Sequence, residues 1–238
     1  MAASGVHVRL YIANQNSTSW SLRPWVLMKQ RGHSFEEIVV PFERDGGHVA
    51  AYRALSPTGR LPALHVDGVV IWDSLAIVEY LAERDPEVWP QEPVARAWAR
   101  SAAAEMHSGF AALRSVCSMS CGHRVRLRAH PQALEADIAR LDELWRDGLG
   151  RFGGPFLADE RFTAVDAFFA PVAFRLQTYG LRVSPSALEY CRRLLALPSM
   201  QAWYSAALAE PWRDEEHDAD TARHGEVEAD LRAPPGSP

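Results

Sequence analysis

Short apolar blocks along the first third of the chain predict alternating strands and helices. Val6 to Ala13 and Phe35 to Pro41 are brief, apolar and partly β-branched, which is typical of strands. Trp20 to Arg31 has helical spacing and stops at Gly32. Asp45 to Leu55 predicts a weaker helix. The pattern so far is strand, helix, strand, helix.

A tight turn then joins two more predicted strands, Leu61 to Val66 and Val69 to Trp72, through Asp67-Gly68. The Asp-Gly pair favours a two-residue hairpin, so these strands are antiparallel. The helix between the first two strands allows those to be parallel. Asp73 precedes a further helix that ends near Glu83. We therefore predict an α/β domain built on a mixed four-strand sheet.

Strand signals stop after a proline-rich segment, and five helical patterns follow it: Val94 to Ser118, Pro131 to Leu149, Thr163 to Tyr179, Pro185 to Leu197 and Pro198 to Leu208. A β-containing block followed by helices alone indicates two domains. We expect an α/β domain over residues 1–84, a linker over 85–93 and an all-helical domain over 94–212. Residues 213–238 are acidic and then rich in Pro, Gly and Ser, which predicts a disordered tail.

Composition narrows the range of functions. The 238 residues carry a formal net charge of −5, which disfavours nucleic acid as the main partner. The three cysteines, Cys117, Cys121 and Cys191, are too few for a disulfide framework and fit a reducing compartment. Cys117, Cys121 and His123 lack a second ligand pair at zinc-site spacing, so we expect no metal. No secretory signal or membrane span is evident, and we expect a cytoplasmic protein away from membranes.

Four segments, in this order and spacing, resemble the glutathione S-transferase superfamily from Val6 to about Trp212. They are N-S-T-S-W-S-L-R from Asn16, S-P-T-G-R-L-P-A-L from Ser56, W-D-S-L-A-I-V-E-Y-L from Trp72 and F-T-A-V-D-A-F-F-A from Phe162. The first is most similar to the zeta-class motif S-S-C-S-W. Asn16 and Thr18 replace its first and third residues, whereas Ser17, Ser19 and Trp20 match it.

This resemblance implies a thioredoxin-like N-terminal domain that binds glutathione as a co-substrate, and a helical domain that shapes the second-substrate pocket. It also implies a homodimer. Asp73 and Ser74 stand where a helix begins, and a helix N-terminus attracts a carboxylate. Ser74 can hold the γ-glutamyl carboxylate while Asp73 pairs with the α-ammonium. Taken alone, either residue is equally an ordinary helix cap.

Leu61-Pro62 is the second expected contact with glutathione. The resemblance implies a cis peptide bond here, with the Leu61 backbone paired to the cysteinyl backbone of glutathione in the manner of an added strand. Without the resemblance, Pro62 is simply the first residue of a strand. Arg60 and His48 are candidates for the glycyl carboxylate, and both are equally plausible as solvated surface charges.

Three hydroxyls before the first helix are candidates for activating the thiol of glutathione. The thiolate is the nucleophile, and a hydroxyl donor at a helix N-terminus favours that anion. Ser17 is the first choice, Thr18 the second and Ser19 the third, although one of them can serve only as the helix cap. The segment has no cysteine, which disfavours thiol–disulfide exchange, and no tyrosine.

His107, Phe110 and Arg114 are candidates for the second-substrate pocket. Phe110 has core spacing, while His107 and Arg114 lie two turns apart on one predicted helix and can face a cleft or solvent. An acidic substrate can be attracted by Arg175 or by the alternating Arg124, Arg126 and Arg128. These arginines can equally form a solvated edge.

The resulting hypothesis is a glutathione transferase that directs the thiolate at a small, largely apolar electrophile, as in detoxification. Two alternatives stay open. One is a glutathione-dependent cis-trans isomerase of the maleylacetoacetate type, which needs cationic groups for two carboxylates. The other is a non-catalytic binding protein with the same fold, since a fold does not fix a substrate.

Overall fold

The computed structural model describes residues 7–42 and 48–234. Its N-terminal elements are β1 (Val8–Ile12), α1 (Ser19–Gln30), β2 (Glu36–Val39), α2 (His48–Leu55), β3 (Ala63–Val66), β4 (Val69–Trp72) and α3 (Ser74–Ala82). The predicted strand start at Val6 and the predicted helix start at Asp45 lie outside the described residues. The predicted order of strands and helices is confirmed.

The four strands form one mixed sheet in the order β2-β1-β3-β4. β1 is parallel to β2 and antiparallel to β3, and β3 is antiparallel to β4. Leu10 faces Leu64 across the β1–β3 pair, and both side chains are fully buried. The predicted mixed sheet is therefore confirmed, with β4 at one edge.

Helices dominate the second region: α4 (Pro93–Ser108), α5 (Ala111–Val116), α6 (Gln132–Phe152), α7 (Ala164–Tyr179), α8 (Pro185–Ala196) and α9 (Pro198–Ala209). Helix α7 is its centre, because it packs against α1, α4 and α8. A 3₁₀ turn, Pro86–Val88, lies in the predicted linker. No helix in residues 7–42 or 48–234 is long and apolar enough to cross a membrane.

A second, two-stranded sheet departs from the prediction. β5 (His123–Leu127) lies inside the region predicted to be all helical, and it pairs with β6 (Gly225–Asp230), which follows α10 (Glu215–Arg223). Residues 215–230 are thus folded, contrary to the prediction of a disordered tail over 213–238; residues 235–238 lie outside the described part.

Opposite charges face each other across the β5–β6 pair. Arg126 of β5 bonds Glu226 at 2.5 Å and Glu228 at 2.8 Å on β6. The alternation of arginines with Val125 and Leu127 is the period-two signal of a strand. From the sequence, these arginines are expected to form a solvated edge or to attract an acidic substrate, and the strand is not predicted.

Asp166 ties the start of α7 to two other segments. It forms a capping box with Thr163, whose backbone N–H donates to it at 2.9 Å. It also accepts from the Leu157 N–H at 3.1 Å and the Tyr190 hydroxyl at 2.8 Å. Burial raises the pKa of Asp166 to about 6, against the opposing effect of these donors. One buried carboxyl therefore joins α7, α8 and the loop before them.

Replacing Asp166 by Ala should lower the free energy of unfolding by about 2–4 kcal/mol, because it removes a cap and leaves buried donors unpaired. Urea denaturation measures the change. Glu189→Ala is the control, since it removes an exposed ion pair with Arg193 and should change stability by less than about 0.5 kcal/mol. Equal stability of the two variants would contradict a structural role for Asp166.

Candidate active site

Two adjoining cavities open between the sheet and the helices. The larger, of about 390 Å³, is bounded by the β1–α1 loop and by residues of α2, α5, α7 and α10. The smaller, of about 220 Å³, lies at the start of α3 and in front of β3. Trp20, Arg60 and Leu61 line both. One extended molecule can therefore occupy the two cavities together.

The smaller cavity contains the start of α3. Ser74 is its first residue and is buried, and Asp73 is its N-cap, accepting the Leu75 N–H at 2.7 Å. Asp73 has a φ of 74°, in the left-handed region. Such a backbone costs an ordinary residue about 1–3 kcal/mol and occurs mostly at ligand sites. The carboxylate, the hydroxyl and the helix N-terminus can bind the ammonium and carboxylate of an amino acid.

The Leu61–Pro62 peptide bond, which also lines this cavity, is cis, as the resemblance implied. Pro62 immediately precedes β3, whose first residue, Ala63, pairs with Tyr11 of β1. The prediction of its isomer is thus confirmed, while the predicted contact of Leu61 with glutathione stays a prediction.

A fully buried arginine, Arg23, lies behind Ser74. Its Nη1 is 3.4 Å from the Ser74 hydroxyl, and its guanidinium stacks on Trp20 at 4.2 Å and Phe168 at 4.9 Å. Its Nε and Nη2 have no hydrogen-bond partner among the described residues. Burial and the nearby Arg114 and Arg175 lower its pKa well below the usual value. A cation so placed favours an anion bound at Ser74.

His107 connects Arg23 to Asp73. Its Nδ1 is 3.4 Å from Nη1 of Arg23, and its Nε2 is 3.5 Å from Oδ2 of Asp73. Burial and the two arginines, Arg23 and Arg114, lower the pKa of His107, although Asp73 opposes them. A neutral ring that accepts from Arg23 and donates to Asp73 satisfies both neighbours. We had expected His107 in the second-substrate pocket; here it supports the carboxylate of Asp73.

Ser17 is the hydroxyl in the β1–α1 loop that has no hydrogen-bond partner among the described residues, although it is buried and lines the larger cavity. Buried polar atoms are seldom left unpaired, and such an atom at a cavity wall favours a bound partner. Thr18 is engaged locally, since its hydroxyl lies 2.9 Å from that of Ser21. Ser19 is the first residue of α1. The geometry favours Ser17 as the group free to reach a ligand.

The loop that carries Ser17 is held by a carboxylate from the far end of the helical region. Glu210, which follows α9, accepts from the backbone N–H groups of Gln15 and, at 3.1 Å, Asn16. The Trp203 indole donates to the Gln15 carbonyl at 2.9 Å. These bonds leave little freedom to the backbone immediately before Ser17.

Residues 120–122 hold the same loop from a second side. The Gly122 N–H donates to the Asn16 side chain at 2.9 Å, and the Cys121 N–H donates to the Asn16 carbonyl at 3.0 Å. Asn16 also approaches the Ser120 hydroxyl at 3.4 Å. Burial raises the pKa of the Cys121 thiol well above its usual value, so Cys121 is an inert structural residue.

Besides Arg60, the larger cavity has Arg114 and Arg175 in its wall. Arg175 is buried, donates to the Cys117 carbonyl at 2.8 Å and has an unpaired Nε among the described residues. Burial and the neighbouring Arg114 lower the pKa of Arg175 to about 10, so it is charged at neutral pH. Arg114 stacks on Trp20 at 4.9 Å and bonds the backbone carbonyls of Met106 and Gly109. The cavity is therefore suited to an anionic group.

The remaining predicted residues divide between the cavities and the core. Seven line the larger cavity: Ser17, Thr18, Ser19, His48, Arg60, Leu61 and Arg114. Five line the smaller one: Arg60, Leu61, Pro62, Asp73 and Ser74. His107 and Phe110 are not among the lining residues of either, and Phe110 is buried at the start of α5. The described residues hold no group of three or more metal-type side chains, and the expectation of no metal stays a prediction.

Sequence reasoning missed four residues that shape these cavities: Arg23, Glu210, Asp214 and His217. Arg23 carried a visible signal, because it is a lone charge between Leu22 and Pro24-Trp25 on an apolar helix. The other three lie beyond the helices that we assigned to the pocket, in or next to the tail that we took as disordered. No local pattern there indicates a contact with residues 200 positions earlier.

Family comparisons agree with this geometry. The family described as Glutathione S-transferase, N-terminal domain, matches residues 18–84, and that described as Glutathione S-transferase, C-terminal domain, matches residues 124–206. Maleylacetoacetate isomerase from Rattus norvegicus is 26% identical over 81% of this chain and 89% of its own length. Probable maleylacetoacetate isomerase 1 from Drosophila melanogaster is 32% identical over 74% of this chain and 72% of its own.

A solved structure gives the same fold. The glutathione transferase homologue from Burkholderia GL BGR1, crystallised with bound glutathione, has a TM-score of 0.63 and 24% sequence identity, covering 84% of this chain and 98% of its own. The chain therefore belongs to the glutathione S-transferase family. The zeta-like character of its first motif agrees with the isomerase relatives.

Replacing Glu210 by Gln should flatten the dependence of stability on pH. Burial raises the pKa of Glu210 from 4.5 to about 7, although the two backbone N–H groups oppose this. The folded protein thus holds this proton more tightly than the unfolded chain, and the free energy of unfolding falls as pH rises from 4.5 to about 7. Gln has no proton to lose, so this fall should shrink, as urea denaturation at several pH values will measure.

Two further variants test the contact between Glu210 and the β1–α1 loop. Glu210→Ala leaves two N–H groups unpaired and should cost about 1–3 kcal/mol at any pH. Glu143→Gln, at an exposed site, should keep the wild-type pH dependence. An unchanged pH slope in Glu210→Gln would overturn the assignment of the raised pKa to this residue.

Proposed function

We propose that this protein is a glutathione transferase, which binds glutathione across both cavities and activates its thiol at Ser17. The observation that carries the proposal is the buried, unpaired Ser17 hydroxyl at the wall of the larger cavity. Membership of the family and the structural similarity to a glutathione-bound relative support it. The two cavities offer binding groups for both ends of the glutathione tripeptide.

The γ-glutamyl group fits the smaller cavity. Its carboxylate accepts from the Ser74 hydroxyl and the first N–H groups of α3, with Arg23 behind them at 3.4 Å from that hydroxyl. Its ammonium pairs with Asp73, whose carboxylate is supported by His107. Leu61 lies between the two cavities and is suited to the cysteinyl backbone. The glycyl carboxylate then reaches Arg60 and His48.

The thiol fits beside Ser17 near the N-terminus of α1. A hydroxyl that donates to sulfur stabilises the thiolate and lowers the pKa of the thiol. The positive end of the helix acts in the same direction. Thr18 is paired to Ser21, so it serves better in holding the turn than in contacting sulfur. The electrophile enters the remaining volume of the larger cavity, near Arg114 and Arg175.

A second candidate function is favoured by those arginines. A glutathione-dependent cis-trans isomerase of a diacid needs cations for its carboxylates, and Arg114 and Arg175 line the cavity that Ser17 also lines. The relatives named as maleylacetoacetate isomerases support the same chemistry. In this reaction the thiolate adds to the double bond, the single bond rotates and the thiolate leaves. We had expected a largely apolar substrate, whereas the cavity favours an anionic one.

We also propose a domain division, an oligomeric state and a location for the enzyme. The change from sheet to helices supports the division into residues 1–84, a linker over 85–93 and residues 94–212, and we assign residues 213–234 to the second unit as well. A homodimer is supported by the exposed Val69 and Trp72 on the edge strand β4. We retain the cytoplasm as its location on the grounds of cysteine usage.

Ser17→Ala and Ser74→Ala should separate activation from binding. Ser74→Ala should weaken glutathione binding about 10–100-fold, because one charge-assisted hydrogen bond is worth about 1.5–3 kcal/mol. Ser17→Ala should retain binding but raise the pKa of the bound thiol by about 1–2 units. Calorimetric titration measures the first, and the ultraviolet absorbance of the thiolate against pH measures the second.

Thr18→Ser and Ser19→Ala are the matched controls, since both side chains line the same cavity. If Ser19→Ala raises the thiol pKa and Ser17→Ala does not, the assignment of Ser17 is wrong. If the wild-type protein binds no glutathione, the proposed function fails, and a binding protein of another kind replaces it.

Arg114→Gln should distinguish an acidic from a neutral second substrate. With a cis-enediacid, kcat/KM should fall about 10–100-fold through loss of a charged hydrogen bond. With an uncharged aryl halide it should change by less than about twofold. Arg146→Gln, an exposed arginine of α6, should affect neither. Equal losses for both substrates would rule out carboxylate recognition by Arg114.

A further inference from the structure

The C-terminal segment, residues 214–233, is braced internally by the ion pairs of one arginine and is joined to the rest of the protein through β5. The Arg232 side chain is largely buried and bonds Asp218 of α10 and Asp230 of β6, both at 2.8 Å. It also lies 2.9 Å from Nε2 of His123 on β5. The segment follows residues 124–206, the range that matches the family domain.

This segment completes the wall of the larger cavity. His217 and Asp220 of α10 line it, opposite the β1–α1 loop and α5. Thr221 of the same helix contacts the Ser118 hydroxyl at 3.1 Å, and Ser118 lines the cavity as well. The second substrate therefore meets side chains from α10 as well as from the matched helical region.

His217 is held in one orientation inside this wall. Its Nδ1 lies 2.6 Å from Oδ2 of Asp214, the N-cap of α10. Its ring stacks on Phe42 at 4.8 Å with an angle of 24°. Phe42 is fixed in turn, because its N–H donates to the Asn14 side chain at 2.7 Å. With Nδ1 engaged by Asp214, Nε2 is the nitrogen that can donate to a substrate.

The charges around His217 favour its protonated form. Burial alone would lower the pKa of His217, but the hydrogen bond and charge of Asp214, together with Asp220 and Glu216, raise it above its usual value. The ionisable groups that share the cavity from other elements include no carboxylate: they are His48 and Tyr52 of α2, Arg60 before β3, Arg114 of α5 and Arg175 of α7. The acids of its own helix therefore stabilise the imidazolium.

We propose that His217, oriented by Asp214, contacts the second substrate and donates its Nε2–H to the oxyanion that forms when the glutathione thiolate adds to an activated double bond. The proposal rests on the proposed function and adds to it a catalytic residue from beyond the matched range 124–206, acting on substrates whose addition product is an enolate. It also makes the C-terminal segment part of the active site.

The electron and proton balance is complete within these groups. The sulfur–carbon bond forms at the β-carbon, and the π electrons move to the carbonyl oxygen as an enolate, which His217 stabilises by a charged hydrogen bond. In isomerisation the electrons return after bond rotation and the sulfur–carbon bond breaks, so no proton is transferred. In net addition, the proton of Nε2 passes to the enolate, which tautomerises to the ketone, and water reprotonates the imidazole.

Two substitutions at His217 test which nitrogen matters. Asn places an amide nitrogen near the position of Nδ1, so it can keep the bond to Asp214 but loses the Nε2 donor. Gln places an amide nitrogen near Nε2. For an enone such as a chalcone-type ketone or for a cis-enediacid, His217→Asn should lower kcat about 10–100-fold, and His217→Gln should recover part of that loss.

The controls separate a chemical role from a structural one. An alkyl halide forms no enolate, so its turnover by His217→Asn should stay within about twofold of wild type. His130→Asn removes a similar pair, in which His130 lies 2.7 Å from Glu135 on the exposed surface, and should affect neither substrate. Equal losses for the enone and the halide would overturn the proposal, as would full activity of His217→Asn with the enone.

Asp214→Asn tests the positioning role through the pH profile. The wild-type kcat for the enone should fall at high pH as His217 loses its proton. Removing the acid that raises the pKa of His217 should move this descending limb to lower pH, with the ascending limb of the thiol unchanged. An unmoved descending limb would overturn the role of Asp214. Calorimetric binding of glutathione should be unchanged in all these variants; loss of binding in wild type would instead refute the proposed function.

Discussion

The buried carboxylate of Glu210 is the constraint on which the site depends. It accepts the backbone N–H groups of Gln15 and Asn16, so the end of the helical region fixes the loop that carries Ser17. Those N–H groups lie just before α1 and would otherwise face a dry interface without partners, which costs free energy. The position of the β1–α1 loop therefore depends on the folding of the helical region that carries Glu210.

Uncompensated positive charge is the second organising feature. Arg23, Arg114 and Arg175 lie close enough for each of the last two to depress the pKa of the first. Among the described residues, the hydrogen bonds of these three arginines go to carbonyls, a hydroxyl and an imidazole rather than to carboxylates. Buried cations that lack an anion destabilise the protein. Binding of carboxylates removes that cost, so the arrangement gains stability with anionic ligands bound.

Much of the fold was predictable because its signals are local. The Asp67-Gly68 turn fixed the hairpin, and Thr163 with Asp166 fixed the start of α7. The tail was misread for the opposite reason. Its acidic residues have low local propensity, and the strand they form pairs with β5, about 100 positions earlier, where Arg126 lies across from Glu226 and Glu228. Charge complementarity between distant segments leaves no periodic pattern in either one.

The candidate site divides in the same way. The roles of Ser74 and Asp73 were predictable, because the start of a helix is visible within one short segment of sequence. The choice of Ser17 over Thr18 is not predictable from that segment, because it depends on the hydrogen bond between the Thr18 and Ser21 hydroxyls. His217 lies furthest from prediction, since its place at the cavity requires the β5–β6 pairing that carries α10 there. The wall that α10 contributes to the larger cavity is therefore far in sequence from the residues around Asp73 and Ser74.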